Sequence, residues 1–264
     1  MLRRLTTTQQ SNNQTSQDVS YLIFTVVVKP RQNSGIEREN YMSKKLFLEA
    51  MIKFFLGVVL VGTLIFLPAG SFSYWKGWLF MGILFVPMFL AGVLMMIKNP
   101  ELLKRRLKAK EKEMEQEKII KLSGLMFVAG FVVCGLNQRF SWLIMPNYIT
   151  VIGTVLFLIS YLLYAEILRE NTYLSRTIEV TKEQKVVDKG LYGMVRHPMY
   201  STTLVLFLSI PLILGCIQTV VIFLLYPFLI VKRLKEEEVF LEKNLPGYKE
   251  YRKKVKYRLI PFLW

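Results

Sequence analysis

The chain has one histidine, His197, inside Gly190-Leu-Tyr-Gly-Met-Val-Arg-His-Pro-Met-Tyr200. Pro198 suits the first turn of a helix, and the residue before a proline is pushed to extended geometry, so Arg196 and His197 are expected to cap a helix where a polar loop meets an apolar run. Helix N-terminal amides beside a guanidinium make a natural anion site. A second charged group lies at the far end of that run: Arg233, then Glu236, Glu237 and Glu238. Arg233 and Glu237 are four apart and share a helix face, while Glu238 points about 100° away. Taken singly, the first cluster is a snorkelling arginine with an interfacial histidine, and the second is a solvated charge run. Brought together they gain weight, because ionisable groups at a membrane edge are costly unless paired or used.

The elements that must position these groups are membrane helices. Of the residues, 53% are apolar and 20% charged, and the charges fall in blocks. Uncharged runs cover 54 to 75, 77 to 97, 122 to 138, 140 to 165 and 199 to 231. A bilayer core is crossed by roughly 20 helical residues, so each of these is a candidate span. The last run holds 33 residues and as one straight helix would reach about 50 Å, so it must fold back. Pro211 and Gly215-Cys216 mark the turn between limbs expected at about 200 to 214 and 217 to 233. The expectation is an all-α polytopic membrane protein of about six spans, ending in a helical hairpin and a short cytoplasmic tail.

Net charge is +16, and position decides what it means. Nine Lys or Arg lie between Lys98 and Lys121, six between Arg169 and Arg196, and ten from Lys232 to Arg258. With six spans all these segments fall on one side, which the positive-inside rule makes cytoplasmic. The basic face is expected to rest on anionic headgroups rather than on nucleic acid. Cys134 and Cys216 offer no disulfide framework and no metal spacing. Residues 1 to 41 are expected to be an extension outside the fold, with 1 to 19 too polar to bury a core. Spans one to four are assigned to 42 to 170, and the chemistry to 171 to 264. The charged stretch 98 to 121 is expected to be a solvated helix without chemistry. A small hairpin or lid is expected in the alternating pattern between residues 176 and 187.

Gly190-x-Tyr192-x-x-Val195-Arg196-His197-Pro198-x-Tyr200, the hairpin, Arg233-x-x-x-Glu237-Glu238-x-x-Leu241, and then Tyr248-x-x-Tyr251-x-x-x-Val255 and Arg258-Leu-Ile-Pro261 together resemble the isoprenylcysteine carboxyl methyltransferase family over about residues 184 to 262. Phospholipid N-methyltransferases and sterol reductases have similar C-terminal halves. Asn244-Leu-Pro-Gly departs from the aromatic-Gly that commonly precedes the first tyrosine. The resemblance implies S-adenosylmethionine as methyl donor, contacted by Arg196, His197, Tyr200, Glu237 and Glu238, with Gly190 and Tyr192 shaping the approach. It implies Arg233, with Arg196 and Glu237, at the reacting end, and a lipidic acceptor with a carboxylate that Arg233 holds. No protein partner is implied. The alternatives are a phospholipid N-methyltransferase, an NADPH-dependent membrane reductase, and a non-enzymatic basic scaffold.

Overall fold

The computed structural model describes residues 33–107, 114–175, 177–181 and 183–264. The chain divides into two units, Met1–Leu46 and Phe47–Trp264. The disorder expected for residues 1 to 19 lies outside the described residues. Helix α1 (Asn33–Ala69) begins inside the stretch expected to be an extension.

Among the described residues the fold is helical, without strands. After α1 come α2 (Trp75–Lys98), α3 (Pro100–Leu107), α4 (Met114–Phe140), α5 (Asn147–Glu170), α6 (Leu191–Met194), α7 (Pro198–Leu214), α8 (Ile217–Phe223), α9 (Tyr226–Asn244) and α10 (Tyr248–Lys254). Five helical stretches are long and apolar enough to cross a membrane: Lys44–Ala69, Trp75–Lys98, Gln116–Phe140, Asn147–Glu170 and Ile217–Asn244. The sixth expected span, α7, is apolar but has 17 residues, about 25 Å of helix. It is the central helix: Tyr200, Leu206, Ile210, Ile213 and Leu214 are all buried, and it packs mainly on α5. Gly153 of α5 makes the close approach, since a methyl there would lie 2.8 Å from Leu212 Cβ. A helix enclosed by its neighbours need not match the bilayer thickness itself.

The fold-back occurs where the sequence places it. Gly215 ends α7 in the left-handed region (φ 69°), which a side chain would strain. Around that turn, Tyr74 donates to Leu214 O at 2.5 Å, the buried Lys76 ammonium donates to Met145 O at 3.0 Å, and Met145 N donates to Gly215 O at 3.1 Å. The returning limb is broken at Leu224-Leu225, because Pro227 in the first turn of α9 has no N–H to continue the ladder. It then runs on as one helix to Asn244, so Arg233, Glu237 and Glu238 stand on a continuation of the hairpin itself.

One expectation about a connecting segment needs correction, and another resolves to one of its two forms. The described part of the stretch 98 to 121 is not a solvated helix: Leu102 and Leu103 of α3 are buried, and so are Gln116 and Ile119 of α4. Arg105 donates to Thr172 O at 3.0 Å, and Arg106 donates to Ser175 O at 3.3 Å and bonds the Tyr164 hydroxyl. Of the hairpin or irregular lid expected between 176 and 187, the described residues form the irregular lid, with no hairpin ladder. A turn held by Gln184 N to Thr181 O (3.0 Å) sends Val180 and Val186 onto Leu241, Leu245, Tyr248, Tyr251 and Val255, so packing there does what strand pairing was expected to do.

Candidate active site

Three consecutive glutamates on α9 have three different environments, as the 100° step between helical neighbours dictates. Glu236 accepts from the buried Gln116 of α4 at 2.6 Å. Glu237 accepts from the Tyr200 hydroxyl at 2.5 Å. Glu238, almost fully buried, accepts from Arg196 Nε at 2.7 Å and from Arg258 Nε at 3.0 Å, with His197 Nε2 at 3.3 Å. The two mouths of the hairpin therefore meet.

His197 is the N-cap of α7 and Pro198 lies in its first turn, with Val195 extended. This extended entry lets the backbone pair with the tail: Arg196 N donates to Tyr257 O at 2.8 Å and His197 N to Arg258 O at 3.0 Å. Arg196 Nη1 adds bonds to Val255 O and Lys256 O, both at 3.1 Å. Arg196 and Glu238 are buried opposite charges whose desolvation is offset only because each is multiply bonded.

On the other side of Arg196 and His197 lies a cavity with about 850 Å³ of atom-free space, part of it open to solvent. Its roof is the 171–187 loop together with Leu245, Tyr248 and Tyr251, and its floor is Tyr200, Arg233 and Glu237. Arg233 Nε donates to the Tyr200 hydroxyl at 3.1 Å, so Arg233, Tyr200 and Glu237 form one chain along the cavity wall. Its lining mixes apolar and aromatic side chains with a few convergent polar groups, as small-molecule sites do.

Of the residues singled out from the sequence, Tyr192, Arg196, His197, Tyr200, Arg233 and Glu237 line this cavity. Glu238 stands behind it, and Arg196 directs its hydrogen bonds away from it, into the tail. Gly190 does not line it either. Its φ is 57°, and a Cβ there would lie 1.7 Å from Glu170 Oε1. Glu170 uses that space to accept from Leu191 N at 3.1 and 3.0 Å, which starts the short helix carrying Tyr192.

Sequence reasoning gave no role to Tyr248 or Tyr251, although both stand in the motif. Tyr251 donates to Tyr192 O at 2.8 Å and so ties α10 to α6. The Tyr248 hydroxyl lines the cavity, is buried, and has no hydrogen-bond partner among the described residues. Burial pushes the Tyr192, Tyr248 and Tyr251 hydroxyls well above the ordinary tyrosine range, helped at Tyr248 by the Glu238 and Glu237 charges, so all three stay protonated at neutral pH. No group of three or more potential metal ligands occurs among the described residues.

Against known proteins, residues 148–247 match the phospholipid methyltransferase family, from the start of α5 to the end of the cavity's α9 wall. The match points to a membrane methyltransferase. It names the related family and does not single out the isoprenylcysteine enzymes that the motif resembles. No curated protein matches the chain.

Proposed function

We propose that this chain, whose residues 148–247 match the phospholipid methyltransferases, is an integral membrane enzyme that uses S-adenosylmethionine to methylate a lipidic acceptor in the cavity beneath the 171–187 loop. The observation that carries this reading is the Arg233–Tyr200–Glu237 chain, a set of polar groups held at the mouth of an apolar hairpin on the wall of a cavity.

The lining fits the donor. An unpartnered buried hydroxyl, Tyr248, is costly unless a ligand completes it, and Glu237, Tyr200 and His197 supply groups for an amino acid moiety and ribose hydroxyls. When bound, the donor supplies an electrophilic methyl group on sulfonium sulfur. The protein's tasks are alignment and exclusion of water. Tyr192 and Tyr248, both neutral, close the roof, while Arg196 and Glu238 hold the tail strap against His197. The basic segments flanking the cavity support a cytoplasmic orientation, with the lipid acceptor entering sideways from the bilayer.

The acceptor group decides the rest. A carboxylate is already ionised at neutral pH and needs no base, so Arg233 orients it, preferably as a bidentate pair. This is the preferred reading, because the cavity wall carries a guanidinium in reach of the acceptor side. The second reading, methylation of a phospholipid amine, is favoured by the family match; there a proton must leave, and Glu237 or His197 is in position to accept it. Purified protein in lipid nanodiscs, given methyl-labelled donor and parallel panels of lipid acids and lipid amines, separates the two. Methyl ester products support the first reading and N-methyl products the second; label in neither panel overturns the methyltransferase assignment. Hydride transfer from NADPH with no methyl incorporation would make the chain a reductase.

A further inference from the structure

The tail that straps over Arg196 and His197 reads Arg252-Lys253-Lys254-Val255-Lys256-Tyr257-Arg258 and then Leu259-Ile260-Pro261-Phe262-Leu263-Trp264: a cationic block followed by an apolar turn. Of these residues, the site described above uses only the Arg258 contact with Glu238 and the strap backbone.

The cations share one surface. Lys249, Lys253, Lys256 and Arg258 line an open groove with Arg252, Glu242 and Glu250. Arg252 is bonded to Glu242 and Arg258 to Glu238, which leaves Glu250 as the remaining carboxylate on that groove against Lys249, Lys253 and Lys256. Arg258 also lies 5.2 Å from the Trp264 ring centre, which joins the groove to the turn. The turn is ordered: Leu259 N and Ile260 N both donate to Trp264 O, at 2.9 and 3.0 Å. Its side chains face outward, with Ile260 51%, Phe262 87% and Leu263 76% exposed.

Its depth is set by the pairing of Tyr257 and Arg258 with Arg196 and His197, by the burial of Leu259, and by one further bond. Ser201 Oγ donates to Leu259 O at 2.5 Å, and Ser201 stands in the first turn of α7. The apolar turn is thus held at the level where an apolar, membrane-embedded helix begins. That is the depth at which aromatic and aliphatic tips meet the headgroup and acyl boundary, with cations just above them among the phosphates.

We propose that residues 249–264 form a membrane-surface anchor, in which Ile260, Phe262 and Leu263 enter the interface and the Lys249–Arg258 groove binds anionic lipid headgroups. The occupant is the bilayer and not a protein, because an apolar tip and a cationic groove at the depth of a helix entrance match the two layers of a lipid surface. The anchor has a consequence for the cavity, and only this clause rests on the function proposed above: since Tyr257 and Arg258 pair with Arg196 and His197, contact with lipid holds the strap closed over the donor site.

The test reads insertion directly and needs no donor. The full chain is labelled with a fluorophore through Leu263→Cys, or in a second preparation through Phe262→Cys, and reconstituted in nanodiscs whose acyl chains are brominated near the headgroup. Cys134 and Cys216 are fully buried and stay unlabelled in the folded protein. Lys243→Cys, an exposed site at the end of α9, is the reference. Bromolipid should quench the labels at 262 and 263 at least several-fold more than the label at 243. Replacing phosphatidylglycerol by phosphatidylcholine, or introducing Lys249→Gln, Lys253→Gln and Lys256→Gln together, should reduce that quenching at least two-fold. Equal quenching at 243 and 263, as a protein partner or a second copy covering the tip would give, overturns the anchor. Quenching indifferent to lipid charge and to the triple substitution overturns the headgroup part. Absence of donor binding would count against the enzyme reading alone, since neither labelled site touches the cavity.

Discussion

Tyr200 donates its hydroxyl proton to Glu237 across 37 residues of sequence, from the first turn of one hairpin limb to the far end of the other. That bond closes the hairpin at the membrane edge and leaves Arg233 bonded to the same hydroxyl on the cavity wall. Tyr200→Phe should keep the fold and lower methyl transfer roughly 10- to 100-fold, the range expected for losing a hydrogen bond to a charged group. Initial rates beside a thermal unfolding trace check this; an unchanged rate would remove Tyr200 from the site.

Glu238 has a different task. With Arg196, His197 and Arg258 gathered on one carboxylate, Glu238→Ala would leave Arg196 buried without its counter-charge, at a cost of about 3–5 kcal/mol. A large fall in the unfolding temperature is expected, with donor affinity lost only as a consequence. A stable Glu238→Ala protein with weak donor binding would instead make Glu238 a ligand contact.

The Tyr248 hydroxyl gives the opposite pairing of effects. A buried, unpartnered hydroxyl costs stability, so Tyr248→Phe should raise the unfolding temperature of the donor-free protein slightly, by about 1 kcal/mol or less of stability. Donor affinity should fall at the same time. Loss of stability together with unchanged affinity would show that the hydroxyl serves the fold.

Gly190→Ala sets a methyl group against Glu170 Oε1 in a backbone conformation that L side chains rarely adopt. The cost is about 1–2 kcal/mol from the backbone alone, plus the displacement of the Glu170 cap. A lower unfolding temperature is expected, and the double variant with Glu170→Ser should recover only the steric share.

Much of this arrangement is legible in the residues. The run from 199 to 231 is too long for one crossing, and Pro211 with Gly215 marks its turn, so the meeting of Arg196 and His197 with the glutamates follows from length and spacing. Other parts are hidden for physical reasons. The Leu102-Leu103 pair that buries α3 is masked by the flanking charges, and the segment reads as solvated although Arg105 and Arg106 hold the loop roofing the cavity. Val180 and Val186 alternate with polar residues as a strand would, yet they pack on Leu245 and Tyr248 without pairing. Burial of α7 on several sides, which lets it be short, leaves no mark in an apolar sequence that would look the same facing lipid.

One exposed ion pair gives the tail a modest pH dependence. Lys254 donates to Asp188 Oδ2 at 2.7 Å and holds that carboxyl below its ordinary value of 3.8. A depressed folded value means that the contribution is complete above the unfolded value and fades as pH falls through the folded one. Being exposed, it is small. Asp188→Asn should unfold at a slightly lower temperature than the wild type at neutral pH, and the difference should close as pH falls below 3.8.

On the function proposed above, the cavity lined by Arg233, Tyr200 and Glu237 binds the methyl donor. Equilibrium dialysis of radiolabelled S-adenosylmethionine against the protein in nanodiscs tests it most directly. Saturable binding is expected, weakened at least ten-fold in Glu237→Ala while the unfolding temperature is nearly kept. Binding of equal strength in the wild type and Glu237→Ala, or no saturable binding to the folded wild type, would contradict it.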